Sequence, residues 1–215
     1  MPRGGGRENM ARCRDVLPGR GNKQAAIQMK ADLRLVRIVE ADLDAVASLV
    51  NRAFARYSHI SSLPRTSPVQ YAEEAGPDAR LILAEAGGRL IASSMIAPAE
   101  RFIEDGVHCG GGSASSAAHP GESASHPWAG ALYFGLAAVE PECMSRGLGR
   151  RLVEFAGQVA AEEGYRGIGL GTLREFGLVP YYEKLDYRLV SEEPYPAGHW
   201  DFLIPHNYCE MVKLR

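Results

Sequence analysis

A chain of 215 residues, 46% of them hydrophobic, is long enough for one well-packed core. Its net charge of −2 gives no electrostatic basis for gripping a nucleic-acid backbone. That total hides an asymmetry: residues 1–30 hold seven Lys/Arg against two acids, leaving about −7 on the rest, which weakly favours a cationic substrate but is more commonly just a solvated acidic surface.

Four scattered cysteines (Cys13, Cys109, Cys143 and Cys209) form no Cys-x-x-Cys pair. They point to reduced thiols and a cytoplasmic setting. No apolar run approaches the roughly 20 residues of a membrane helix, and the N-terminus carries no hydrophobic secretory segment. Neither a membrane nor a nucleic acid is therefore an expected partner.

Residues 1–30 show neither helical nor strand periodicity and are expected to be a disordered tail. They are Arg-rich but lack serine and an amphipathic face, a poor fit to a transit peptide. "MKADLRLVRI" reads as a natural beginning, with Met29 as the start. The remainder, 31–215, is expected to be one domain.

Leu33 to Val39 reads as a strand. Asp42 opens a helical pattern with Val46, Leu49, Val50, Ala53, Phe54 and Tyr57 on one face. "SPVQ" predicts a second helix, with Ser67 as cap, Pro68 in the first turn and Gln70 completing a capping box. "RLILAEAGGRLIASSMIA" predicts two strands around Gly87-Gly88, a pair suited to a tight turn that needs positive φ at both positions.

Asp105 to Gly130 is rich in Gly, Ser and Ala and without period, so a flexible insertion is expected at about 105–130. Its His108, Cys109, His119 and His126 match no established zinc spacing, and no metal is expected. "ALYFGLAAV", Ala131–Val139, is almost wholly apolar and suits a central strand buried on both faces. Leu148, Leu152, Phe155 and Val159 then recur at helical spacing, predicting a helix from Gly147 to about Glu163, ended by Gly164. "RGIGLGTL" is a strand, "FGLVPYYEKL" a short helix, and "YRLVS" and "YCEMVKLR" the last two strands.

Met144-Ser145-Arg146-Gly147-Leu148-Gly149-Arg150 thus joins a buried strand to the first turn of a helix. A helix start presents unpaired N–H groups and the positive end of the macrodipole. Glycines there let an anion approach the backbone, and such a place binds phosphate. Arg146, Arg150 and Arg151 add positive charge. A plain Gly-containing turn with a solvated basic face is the alternative. A dinucleotide fingerprint would need a glycine where Leu152 stands, and a Walker loop would need Gly-Lys-Ser/Thr.

The loop resembles the acyl-CoA pyrophosphate loop of the GNAT N-acetyltransferase superfamily, Gln/Arg-x-x-Gly-x-Gly/Ala. The element order from Leu33 to Leu214 is similar to the whole GNAT layout, and "VPYYEKLDYRLV" is similar to its late Tyr-x-x-x-Gly-Phe signature, with Tyr182 at the tyrosine. Met144 stands at the motif's Gln/Arg and Asp186 at its late glycine; Asp is among the few side chains that visit left-handed backbone.

The resemblance implies an α/β (α+β) fold with a mixed, mostly antiparallel central sheet flanked by helices. It also implies acetyl-CoA as co-substrate, with Leu136, Ala137, Ala138 and Val139 lining the pantetheine arm. Ser145, Arg146, Gly147, Leu148, Gly149 and Arg150 would hold the pyrophosphate. The implied reaction is direct attack on the thioester by an amine of a small molecule or peptide, with Tyr182 as proton donor to the leaving thiolate and Tyr181 packing beside it. No motif of the superfamily fixes a general base, which can act through water; Glu100, Glu104 and His59 are reachable in principle. Cys143 reads as a loop residue rather than a covalent acyl carrier. Acceptor contacts are expected around 55–70 and 192–206, where Glu192, Glu193, Tyr195 and Trp200 can hold a cationic amine or simply form a solvated loop. A non-catalytic acyl-CoA-binding module of the same fold is the alternative, and the layout is compatible with a homodimer.

Overall fold

The computed structural model describes residues 31–104 and 126–215. The expected tail, Met29 and residues 105–125 of the insertion lie outside them.

Alternating apolar residues build a seven-stranded sheet: β1 (Asp32–Arg37), β2 (Arg80–Ala86), β3 (Arg89–Pro98), β4 (Leu132–Val139), β5 (Gly167–Leu173), β6 (Arg188–Tyr195) and β7 (His206–Leu214). The spatial order is β1-β2-β3-β4-β5-β7-β6. Every pairing is antiparallel except β4 with β5. Gly87 and Gly88 turn β2 into β3 at φ 59° and 73°.

Successive strand residues point to opposite faces, so the sheet carries two cores. Ile82, Ala84 and Phe134 pack with α4 (Leu148–Glu162) and α5 (Val179–Glu183). Leu81, Leu83 and Tyr133 pack with α1 (Leu43–Phe54) and α2 (Pro68–Ala75). Asp42 caps α1 by accepting from the Ala45 N–H at 3.0 Å. Ser67 and Gln70 form the reciprocal capping box of α2. On α4 the side chains of Leu148, Leu152, Ala156, Val159 and Ala160 are buried along one stripe. Each large one contributes about 1.5–3 kcal/mol.

Three features depart from the sequence reading. The expected insertion is structured at its end, where residues 126–130 form a turn. Trp128 there is 1% exposed and donates Nε1–H to the Met211 carbonyl at 3.0 Å. Trp128 fits because Gly169 opposite it has no side chain; a Cβ there would stand 2.7 Å from the indole. A short helix, α3 (Glu100–Glu104), follows β3 and was not expected. β6 continues beyond "YRLVS" to Tyr195, and it tolerates Pro194 because it is the sheet edge.

Candidate active site

β4 and β5 pair only at Leu132–Ile168 and Tyr133–Gly169, and then they diverge. The cause lies one strand away. Between Met95–Gly135 and Ser93–Ala138, β4 carries one more residue than β3, and Leu136 takes φ 46°. Such a bulge bends its strand and increases the local twist. From Gly135 to Val139, β4 therefore presents an edge with no β5 partner among the described residues.

The wedge holds a cavity of about 80 Å³, lined by Gly135, Leu136 and Ala137 of β4, Gly171 and Thr172 of β5, and Tyr182 of α5, among others. Ala137 and Val139 face the α4 side, and Leu136 and Ala138 the α1 side. Gly171 keeps the wall thin, since a Cβ there would collide with the Tyr208 phenol.

The glycine loop stands at the wide end of β4. Pro141–Cys143 forms one 3₁₀ turn, Ser145 takes φ 61°, and Gly147 caps α4 at φ 80° without a side-chain cap. The first helical bond runs from the Arg151 N–H to the Gly147 carbonyl at 3.0 Å. The N–H groups of Leu148, Gly149 and Arg150 lie ahead of it. A Cβ at Gly147 would meet nothing within 4 Å, so the space before this backbone is open. Gly149 is roofed only by Tyr181, whose hydroxyl would lie 3.2 Å from a Cβ. Tyr181 thus borders the loop rather than merely packing beside Tyr182.

Charge around the loop differs from expectation. Arg150 pairs with Glu154 at 2.6 Å, and Arg151 turns away to the Ala31 carbonyl at 2.7 Å. Arg56, in the 3₁₀ turn Ala55–Tyr57 just after α1, brings its guanidinium to Met144 Sδ at 3.1 Å, a contribution sequence spacing could not show. Glu140 is held by Arg52 at 2.9 Å and Arg89 at 3.7 Å, and the Arg52 hydrogen bond keeps its carboxyl below the usual range. Cys143 is buried at 4% in the core with Leu148 and Leu152.

Tyr182 is 7% exposed, and its burial pushes the phenol well above its ordinary value of 10, with Tyr181 and Tyr57 adding smaller contributions. It keeps its proton at neutral pH. Asp186 adopts φ 67°, a left-handed backbone turn, and Lys213 holds its carboxylate at 3.3 Å. Neither Glu100, bonded to the Gly130 N–H at 2.8 Å, nor the exposed His59 lines the cavity. Nothing is described of the Glu104 side chain. Among the described residues no His/Cys/Asp/Glu cluster suits a metal; His126 instead faces Glu210 at 3.4 Å, and Ser191 Oγ donates to Glu210 at 2.7 Å. Glu192 is committed to Arg174; Tyr195 stacks on His199, and Trp200 lies tilted against both, with ring centroids 4.3–4.6 Å apart.

A larger cavity of about 550 Å³ begins at Arg150 and runs between α4, residues 184–187 and the end of β7. It lies away from the splay. No described helix is long and apolar enough to cross a membrane.

No protein-family model and no curated protein matches the sequence. Solved structures do. The ribosomal-protein-alanine N-acetyltransferase from Brucella melitensis is similar with a TM-score of 0.57 at 13% identity, over 86% of this chain and 99% of that one. The ribosomal-protein-S18-alanine N-acetyltransferase from Escherichia coli gives 0.56 at 14%, over 85% and 94%. A GCN5-related N-acetyltransferase from Kribbella flavida gives 0.54 at 18%, over 85% and 98%. The chain has the GNAT fold.

Proposed function

We propose that the protein is an acetyl-CoA-dependent N-acyltransferase that moves an acetyl group to an amine of a small molecule or peptide by direct attack. The observation that carries this is the splay: β4 leaves β5 after Tyr133, and the glycine loop and Tyr182 stand beside the gap.

The residues fit the co-substrate. The open space before Gly147 and the N–H groups of Leu148 to Arg150 suit a pyrophosphate. Ser145 and Arg146 complete that loop, and the groove beginning at Arg150 offers Lys184, Lys213 and Arg215 to the nucleotide end. The free edge from Leu136 to Val139 offers backbone partners to the amides of an extended arm, in the manner of an added strand. When bound, acetyl-CoA supplies an acyl group activated as a thioester.

The chain's own groups do the rest. A backbone N–H of the splayed segment donates to the carbonyl oxygen as charge develops there. The amine enters as the free base, its proton passing to solvent. Tyr182 holds a proton at Oη and donates it to the departing sulfur as the C–S bond breaks, solvent returning a proton to the phenolate, help worth about 10²–10⁴ in rate.

The test is release of CoA thiol from acetyl-CoA across a panel of amines, amino acids and peptides. Amine-dependent release supports the reading. Saturable binding of acetyl-CoA with no release under any amine would leave a binding module instead.

A further inference from the structure

Successive side chains of β7 alternate between the faces of the sheet. Val212 packs on the α1 side, so Tyr208 and Glu210 share that face. Both are buried, and neither takes part in the steps already assigned. Tyr182 belongs to the core on the other face, with α4 and α5. Tyr182 and Tyr208 nevertheless both line the splay cavity, so it receives phenols from both faces of the sheet.

The direction of the Tyr208 side chain is set by a missing neighbour. Gly171 of β5 pairs with Glu210 of β7, and a Cβ at Gly171 would stand 1.8 Å from the Tyr208 hydroxyl. The phenol therefore leans from its own position to the level of Glu210 and fills the space that a side chain at Gly171 would take. Directly opposed residues of an antiparallel ladder hold their Cβ positions about 5 Å apart. That spacing sets the hydroxyl within reach of the Glu210 side chain, directly or across one water.

Glu210 is surrounded as an acceptor. Ser191 Oγ donates to its Oε2 at 2.7 Å. His126 Nε2 stands 3.4 Å from the same oxygen. The Nδ1 of that imidazole accepts the Trp128 N–H at 3.2 Å, which leaves the ring hydrogen on Nε2, facing the carboxylate. Tyr208 is suited to stand in front of it, because a phenol hydroxyl can accept a proton on one side while passing its own on at the other.

Resting on the acyltransferase reading, we propose that Tyr208 and Glu210 form the route by which the acceptor nitrogen loses its proton. The amine enters as the free base. As its nitrogen bonds to the thioester carbon, it carries one proton more than the amide product keeps. That proton passes to Tyr208 Oη while the Tyr208 hydrogen passes to the Glu210 carboxylate, directly or through one water. Glu210 then releases a proton to solvent, and both groups return to their starting state. Sulfur thus receives its proton from Tyr182 on one face, and nitrogen gives its proton to Tyr208 on the other. Tyr208 is the group at the nitrogen, and Glu210 acts through it. The pair takes the place of Glu100 and His59, which do not line the cavity.

The test follows acetyl transfer in single turnovers, using the amine that the unaltered protein acetylates fastest. Tyr208→Phe and Glu210→Gln should each slow transfer about a hundredfold, with KM for the amine and CoA affinity unchanged. The double variant should be no slower than the slower single one, because the two groups act in series. Parent rates in Tyr208→Phe, losses that multiply in the double variant, or a raised KM with an unchanged rate overturn the inference and leave the acyltransferase reading intact. Should a variant not fold, the unaltered protein decides. Its single-turnover rate at fixed pH should not respond to the concentration of a tertiary-amine buffer, which cannot itself be acetylated to an amide. A rise with buffer would show that the proton leaves to the medium directly, and overturns the relay. No turnover of any amine by the unaltered protein defeats both readings.

Discussion

At the scale of single residues, the proposed function gives two adjacent tyrosines different parts. Tyr182 is buried at the cavity with its phenol raised by desolvation, while Tyr181 is half-buried with its hydroxyl over Gly149. Tyr182→Phe keeps the ring and removes the donor. It should lower kcat by about ten- to a thousandfold with CoA affinity and melting temperature little changed; a variant at the parent rate removes the donor step. Tyr181→Phe should act on CoA affinity instead, read by calorimetry. Glu140 makes a separate claim about pH. Arg52 lowers its folded pKa, so its stabilisation is complete above the unfolded glutamate value and fades as pH falls through the folded one. The melting temperature should drop on acidification below about pH 4.5, and Glu140→Gln should flatten that drop while lowering the neutral-pH value. The late Tyr-x-x-x-Asp signature was readable because Asp186 can take φ 67°. Arg56 was not, because its contact with Met144 joins segments far apart in the sequence.

At the scale of elements, the sequence was most legible where a local rule decides. Asp42, Ser67 and Gln70 cap as their chemistry dictates, and the apolar stripe from Leu148 to Val159 forms the α4 core face. Legibility failed where tertiary context decides. Trp128 sits at the end of a Gly/Ser-rich run, and only its fit over Gly169 shows it to be core. The splay itself comes from a register shift between β3 and β4, which no single-strand pattern contains. Gly149→Val tests the loop as a unit. Gly149 has negative φ and only the movable Tyr181 phenol nearby, so the domain should fold. The branched side chain should still weaken CoA binding about ten- to hundredfold by displacing a backbone phosphate contact. Unchanged affinity in a folded variant would remove the loop from the site.

At the scale of the molecule, the sheet order, the two cores and the parallel β4–β5 contact follow from alternating strands with helices on both faces, and the order of elements was legible from Leu33 onward. Residues 1–28 and 110–125 contain little apolar sequence to offset the entropy of ordering them. Removing the first and shortening the second should leave the melting temperature nearly unchanged; a large loss would show that they pack on the domain. The central claim is that the splay hosts direct transfer from CoA to an amine. The most direct measurement follows an isotopically labelled acetyl group by mass spectrometry after mixing labelled acetyl-CoA, the protein and a panel of amines, amino acids and peptides. The account predicts label on the acceptor nitrogen, one per CoA thiol released, and none on the protein. Label that remains on CoA at saturation, or that accumulates on Cys143, would contradict it.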